Sequence, residues 1–179
     1  MSGGDFRVPP MKWNDIGLRA DGLRANLGLT ETPLFPVIDV LEKILPTLFS
    51  DFQFMIGDEE EMEGAEGYTD PGGAFIMLHE KVYAAALGGD GRARFTAAHE
   101  LGHWMLHTNV PLMRIDPNTT VDAYMRAEPQ ANQFAAELLM PRRLISSINI
   151  EFDLMTYFGV SYAAASHRLN FLRRRNLIL

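Results

Sequence analysis

The sequence predicts a mostly helical α+β fold in which a small three-stranded sheet packs against a central helix and a helical hairpin follows. Apolar residues recur at helical spacing through most of the chain, and short segments between residues 52 and 78 alternate as strands do. Near the end, Gly159 separates two further helical patterns. We expect residues 1–11 to be a disordered leader, residues 12–150 to form one domain, and residues 151–179 to be an extension packed on that domain.

The composition is that of an acidic globular protein. The chain has 179 residues, of which 47% are hydrophobic and 22% charged, and its formal net charge is -7. No apolar run approaches the roughly 20 residues of a membrane span, and the first residues lack the apolar centre of a signal peptide. Because there are no cysteines, a metal site must use histidine and carboxylate ligands. These features predict a cytoplasmic protein with no membrane association and no general nucleic-acid binding.

Two core-forming helices are expected in the N-terminal third. Ile16 and Ala20 belong to the apolar stripe of the first, which Gly28 closes. Pro36 begins the second, which runs toward Pro46.

Three strands are expected next. They cover residues 52–56, 65–69 and 74–78, and the last two are joined by a turn rich in proline and glycine. The acidic run 58–63 is expected to be a solvated loop. Together the strands predict a three-stranded sheet.

The chain is organised around residues 94–107, which contain an HExxH pattern on a predicted helix. On a helix, His99 and His103 lie one turn apart on the same face, with about 5–6 Å between their Cβ atoms. Both imidazoles can therefore reach one Zn²⁺ at about 2.0–2.1 Å, and Glu100 sits beside that metal without being a ligand. Gly102 inside the helix costs roughly 1 kcal/mol relative to alanine, which indicates that another backbone packs closely there.

A catalytic zinc usually has three protein ligands, and Glu128 is the predicted third. Pro129 favours a helix start at this point, and the positive end of the helix dipole stabilises an ionised carboxylate there. Asn132, one turn further on, is expected to hydrogen-bond back toward the site. Glu137 lies deeper in the same helix and is expected to be solvated or ion-paired.

Two other histidines are expected not to bind the metal. His107 lies about 6 Å further along the helix axis than His103, past the point where the first pair converges. It is expected to support the site or the core. His79 falls just after the third strand and is expected to be structural.

Two motifs resemble the ImmA/IrrE family of zinc metallopeptidases: RFTAAHELGHWMLH and, downstream, ExxANxFAAxLLMP. The resemblance implies a zincin-like domain with His99, His103 and Glu128 as zinc ligands and Glu100 as the catalytic glutamate. It also implies a regulatory protease whose target is a DNA-binding repressor, often a helix-turn-helix protein. The settings it implies are phage, mobile-element, toxin–antitoxin or stress-response control.

The expected chemistry is hydrolysis of a peptide bond. Glu100 would take a proton from the zinc-bound water and return it to the leaving amine. The developing oxyanion also needs a donor, for which Tyr68, Tyr124 and His107 are the candidates. We expect residues 74–78 to be the edge strand that aligns an extended substrate through main-chain hydrogen bonds.

An alternative reading is a zinc-containing binding module, an antitoxin or toxin partner, that regulates a repressor without cutting it. The intact Glu100 favours the enzyme, because a purely structural site needs no base.

Residues 108–126 form a long connection that is expected to wall or cover the cleft. Residues 154–169 resemble a helix-turn-helix, and the segment 154–175 carries Arg168 and the arginines at 173–175. We expect residues 154–175 to dock a protein partner or the catalytic domain and not to read DNA sequence.

Overall fold

A computed structural model describes residues 5–116, 118–145 and 150–178. Within these residues the predicted α+β class is confirmed. The helices are α1 (Trp13–Asn26), α2 (Val37–Asp39), α3 (Leu45–Leu48), α4 (Glu59–Met62), α5 (Glu80–Leu87), α6 (Gly91–His107), α7 (Ala127–Leu139), α8 (Arg142–Ile145), α9 (Glu151–Phe158) and α10 (Tyr162–Arg174). The strands are β1 (Phe6–Arg7), β2 (Gln53–Gly57), β3 (Gly67–Thr69), β4 (Phe75–His79) and β5 (Met113–Arg114). Among the described helices, none combines the length and the apolar character that crossing a membrane would require.

The N-terminal segment is tied down by backbone hydrogen bonds. β1 pairs with β5 in antiparallel register, and the N–H of Val8 donates to the carbonyl of Met125 at 3.0 Å. The prediction of a disordered leader is therefore wrong for residues 5–11, because the buried Val8 and its backbone partners hold them. Residues 1–4 lie outside the described part.

The first two predicted helices are present, and the second has a wider turn in its middle. α1 buries Ile16 and Ala20 against the core. Between α2 and α3 the backbone forms a π-helical turn, Val40–Ile44. Pro46 follows in the first turn of α3, and its ring would clash with the carbonyl four residues earlier in a regular helix. The π-helical turn contains the residue that carries this carbonyl and widens the backbone there.

The three-stranded sheet has the order β2-β4-β3. β2 runs parallel to β4, with Gln53 opposite Phe75, and β3 runs antiparallel to β4, with Gly67 opposite Leu78. The prediction that residues 74–78 form an edge strand is therefore wrong. β4 lies in the centre because its side chains are largely buried and both its backbone edges are paired. In the described residues β3 pairs only with β4, so its outer edge is free.

The acidic run after β2 is not the predicted loop. Asp58 begins α4 with a capping box: its side chain accepts from the backbone N–H groups of Glu60 and Glu61, and the Glu61 carboxylate accepts from the Asp58 N–H. The single helical turn places Met62 in a buried position.

The central helix α6 begins at Asp90, whose side chain accepts from the Ala93 N–H at 2.8 Å. α7 crosses α6 at Gly102. A Cβ added there would lie 3.0 Å from the carbonyl oxygen and 3.2 Å from the Cα of Ala131. This confirms that the glycine allows another backbone to pack closely, and it brings α7 within reach of the histidines.

The C-terminal helices pack against the same core. α8 ends at Ile145, and residues 146–149 lie outside the described part. α9 ends at Gly159 in a left-handed conformation (φ 61°), and Ser161 caps α10. Arg94 of α6 donates to the carbonyl of Gly159 at 2.9 Å, which fixes the hairpin turn to the central helix.

One arginine of the C-terminal hairpin, Arg168 of α10, is part of the core. Arg168 is 1% exposed and donates to the Glu137 carboxylate at 2.8 Å and to the carbonyl of Met140 at 3.1 Å. The ion-paired reading of Glu137 is thus confirmed. Arg173 lies 3.5 Å from Glu151. Arg168 is therefore unavailable for DNA contact.

Candidate metal centre

Helices α6 and α7 bring His99, His103 and Glu128 together. The two histidine Nε2 atoms are 2.9 Å apart. The Nε2 of His99 lies 3.2 Å from Oε2 of Glu128, and the Nε2 of His103 lies 3.2 Å from Oε1 of the same carboxylate. A tetrahedral ion with bonds of about 2.0–2.1 Å needs its ligand atoms about 3.3 Å from one another. The distances and the donor types therefore fit one metal ion such as zinc. Glu128 is 34% exposed, so the group opens to one side.

The tautomer of His99 is set by α7. The Asn132 Oδ1 atom can only accept, so the His99 Nδ1–H donates to it at 3.0 Å. A neutral His99 ring then has its lone pair on Nε2, the atom that faces the metal position, whereas a proton on Nε2 would be donated to Glu128. Asn132 thus takes the place predicted for it. Burial acts to lower the pKa of His99, but the hydrogen bond with Glu128 and the charges of Glu100 and Glu128 raise it above its usual value.

The tautomer of His103 is set by a chain of two further residues. The amide nitrogen of Gln130 donates to the carbonyls of Pro9 at 3.0 Å and Tyr124 at 2.8 Å, so its Oε1 must face His107. The His107 Nε2–H donates to that oxygen at 3.1 Å, which makes the His107 Nδ1 an acceptor. The His103 Nδ1–H donates to it at 3.1 Å. A neutral His103 ring therefore has its lone pair on Nε2, toward the metal position, whereas a proton on Nε2 would be donated to Glu128.

His107 lies between His103 and Gln130, and not where it could donate to an oxyanion. The ring is buried, and both of its nitrogens are occupied by His103 and Gln130. Burial lowers the pKa of His107 to about 4, against the opposing effect of the Gln130 hydrogen bond, so the ring is neutral near pH 7.

Removing the amide at the end of this chain is expected to weaken metal binding. In Gln130→Met the His107 Nε2–H loses its acceptor, and the Nε2–H form of His103 becomes competitive. We expect zinc affinity to fall by about 10–100-fold, the range found when groups that orient ligands are changed. Competition with a chelating dye measures the affinity, and ¹⁵N chemical shifts of the His103 ring in metal-free protein report the tautomer.

Gln133→Met is the matched control, because Gln133 lies on the same helix and donates to Glu137 instead. Its zinc affinity should remain within about twofold of that of the unaltered protein. Equal affinities for both variants would show that the chain through His107 does not orient the ligand.

The start of α7, which carries Glu128, is held by the N-terminal segment. The Asp5 carboxylate accepts from the backbone N–H of Glu128 at 3.2 Å and from the Arg126 Nε at 2.7 Å. Asp5 therefore caps α7, because the side chain of Arg126, the residue before the helix, makes no capping hydrogen bond. Burial acts to raise the pKa of Glu128, but hydrogen bonds with His103 and His99 hold it well below its usual range. The carboxylate is therefore ionised, as a metal ligand must be.

Glu100 lies beside the three ligand groups and is held by β3. The hydroxyl of Thr69 donates to the Glu100 Oε2 atom at 2.6 Å and also lies 3.0 Å from its backbone carbonyl. A Cβ at Gly67 would lie only 2.8 Å from Oε1, so glycine leaves room for the carboxylate. The sequence reading missed both β3 residues. Their alternation along the strand was the available signal, since residues two apart share a face.

The remaining predicted residues lie elsewhere. Tyr68 sits between Gly67 and Thr69 on the opposite face of β3, where its ring packs on Phe75 at 5.7 Å. The pleat therefore turns it away from Glu100, against its predicted role as oxyanion donor. Tyr124 is exposed, and a hydrogen bond with Asp122 raises its pKa.

His79 is structural, as predicted. Its Nδ1 accepts from the Lys81 N–H at 3.0 Å at the start of α5, and its Nε2 lies 3.1 Å from Glu59. Among the described residues, the group that can hold a metal contains His99, His103 and Glu128 and not this histidine.

The HExxH helix, the carboxylate on the following helix and the small sheet together define a zincin-like metallopeptidase fold. Residues 82–170 match the IrrE N-terminal-like domain of peptidase family M78. The chain belongs to this ImmA/IrrE family through that segment, which contains His99, Glu100, His103 and Glu128. The predicted resemblance is thus confirmed.

Two similar proteins place the match in a wider context. An uncharacterized immunity region protein 2 of Bacillus phage phi105 is 44% identical over 63 residues, which are 34% of this chain and 38% of the phage protein. A solved transcriptional regulator of Mycobacterium tuberculosis shares the fold with a TM-score of 0.55 and 18% identity, over 87% of this chain and 46% of that one. The chain therefore spans less than half the length of either protein.

Proposed function

We propose that this chain is a zinc-dependent endopeptidase that hydrolyses a peptide bond in a regulatory protein, with His99, His103 and Glu128 as the zinc ligands. One observation carries the proposal: three ligand atoms within bonding reach of one ion lie beside a buried carboxylate, Glu100, that is not among them. Three protein ligands leave a fourth position for water, as catalytic zinc sites require. A closed structural site would have four protein ligands and no adjacent base.

When bound, Zn²⁺ would lower the pKa of a coordinated water toward about 7 and polarise the scissile carbonyl. Glu100 accepts the proton of the attacking water and delivers it to the leaving amine. The Thr69 hydroxyl holds one oxygen of this carboxylate and leaves the other for that exchange. Asn132 and His107 keep the Nε2 lone pairs of the two histidines aimed at the ligand position.

The substrate backbone is proposed to lie along the free edge of β3. Gly67 and Thr69 of this strand both lie against the side chain of Glu100. A segment added to the outer edge of β3 therefore passes directly in front of the base, with its main chain paired to the strand. This role replaces the one predicted for residues 74–78.

The substrate is proposed to be a DNA-binding repressor of the helix-turn-helix kind, in phage, mobile-element, toxin–antitoxin or stress-response control. Support comes from the family to which residues 82–170 belong and from the similar protein named for a phage immunity region. A DNA-binding repressor is found in the cytoplasm, and we propose that the chain acts there.

The test is incubation of the purified chain with the repressor encoded beside its gene. We expect cleavage that stops when a chelator removes zinc and returns when zinc is restored, with the cut site read by mass spectrometry. A repressor that stays intact under every condition but co-elutes with the chain would identify a non-cleaving binding module instead.

A further inference from the structure

A groove of about 1190 Å³ runs between the first half of α6, the middle of α7 and α10. We call it the α10 groove and define it by Arg92, Phe95, Asn132, Ala136, Phe171 and Arg174. α10 thus forms one wall of the groove, and the lining does not include His99, His103 or Glu128.

The groove begins beside the metal centre. Arg92, Phe95 and His99 lie on successive turns of one face of α6, so the first two continue along the helix from a ligand. On the opposite wall, Asn132 lines the groove and accepts the hydrogen bond from His99. A polypeptide bound at the metal centre can therefore extend into the groove.

The groove lining is cationic in a protein that is acidic as a whole. It includes four arginines and a histidine but no aspartate or glutamate, although the chain contains 23 acidic residues and has a net charge of -7. Two of the arginines are neutralised, Arg92 by Glu66 and Arg168 by Glu137. In the part of the chain that the structure describes, no carboxylate lies within ion-pair distance of Arg174 or Arg175.

The rest of the lining is uncharged and mixes apolar with polar side chains. Phe95, Ala136 and Phe171 lie along it, and the Arg175 guanidinium lies 4.9 Å from the ring centre of Phe171. Apolar side chains next to unpaired guanidinium groups match a peptide that carries both apolar and acidic side chains.

We propose that the α10 groove binds an acidic, apolar segment of the polypeptide on which the metal centre acts, with its carboxylates on Arg174 and Arg175. This proposal names a substrate feature and therefore rests on the proposed function. A peptide fits better than a nucleic acid, because two arginines beside phenylalanine and alanine side chains offer few phosphate contacts. The protein's negative charge also repels a duplex.

Peptide binding can be measured without cleavage, on the full chain carrying Glu100→Gln. The probes are a short labelled peptide that alternates glutamate with leucine and its counterpart with glutamine in place of glutamate. We expect Arg174→Gln/Arg175→Gln to weaken binding of the glutamate peptide at least about tenfold, as measured by fluorescence anisotropy, and to leave the weaker glutamine peptide unchanged. Arg19→Gln/Arg114→Gln is the matched control, since it removes two exposed arginines elsewhere and changes the net charge equally.

Equal affinity for the two peptides, or an equal loss in both double variants, would overturn the proposal. So would tighter binding of a labelled DNA duplex that depends on Arg174 and Arg175. The two proposals also fail separately. Selective peptide binding without any repressor cleavage rejects the enzyme and keeps the groove, whereas cleavage with unchanged KM in Arg174→Gln/Arg175→Gln rejects the groove and keeps the enzyme.

Discussion

Replacing Glu100 by glutamine is expected to lower kcat for repressor cleavage by roughly 10²–10⁴-fold, which is the usual contribution of a positioned general base. The amide has the shape of the carboxylate and can still accept from the Thr69 hydroxyl, so the fold and the histidine geometry should persist. It cannot take a proton from water. Zinc affinity should change little, because Glu100 is not one of the three grouped ligands.

Single-turnover cleavage and a zinc titration on the same preparation separate these two effects. Glu80→Gln is the matched control, since that exposed carboxylate in the first turn of α5 undergoes the same chemical change away from the metal centre. Its kcat should stay within about twofold of that of the unaltered protein. If Glu100→Gln cleaves at the normal rate, another group removes the proton, and the role proposed for Glu100 is wrong.

The grouping of His99, His103 and Glu128 was predictable because its geometry is local. His99 and His103 are placed by one turn of one helix, and Glu128 by the proline that marks the next helix start. The strands were predictable from alternation, but their order was not. Whether β4 is central depends on its parallel pairing with β2, and the alternation within a strand does not indicate which strand it pairs with.

The supporting groups were missed because their partners are distant in sequence. Asp5 binds Arg126, which lies 121 residues further along the chain, and a short polar segment gives no local sign of such a contact. Gln130 did leave a signal, since it is a polar residue within the buried stripe of α7. A buried amide must be hydrogen-bonded, so its position next to Glu128 pointed to a role in holding the site.

Replacing His103 by alanine is expected to abolish the thermal stabilisation that zinc gives. At free zinc about 100-fold above Kd, a protein that binds the ion only when folded gains about 2.7 kcal/mol. For a chain of this size, each 1 kcal/mol raises Tm by about 2–4 °C, so zinc should raise Tm by about 5–11 °C. His103 is 1% exposed, and its Nε2 atom lies 2.9 Å from the Nε2 atom of His99. His103→Ala therefore leaves two of the three proposed ligands and a cavity. Its zinc-dependent shift should vanish, and its metal-free Tm should also fall.

His79→Ala distinguishes loss of a ligand from loss of stability. His79 is also a buried histidine, and its replacement removes the side-chain cap of α5 and the contact with Glu59, which should lower the metal-free Tm. It is not among the grouped ligands, so the upward shift of about 5–11 °C with zinc should remain. Scanning calorimetry with and without zinc measures both quantities for the three proteins. A zinc shift of normal size in His103→Ala, or its loss in His79→Ala, would mean that the metal binds somewhere other than between α6 and α7.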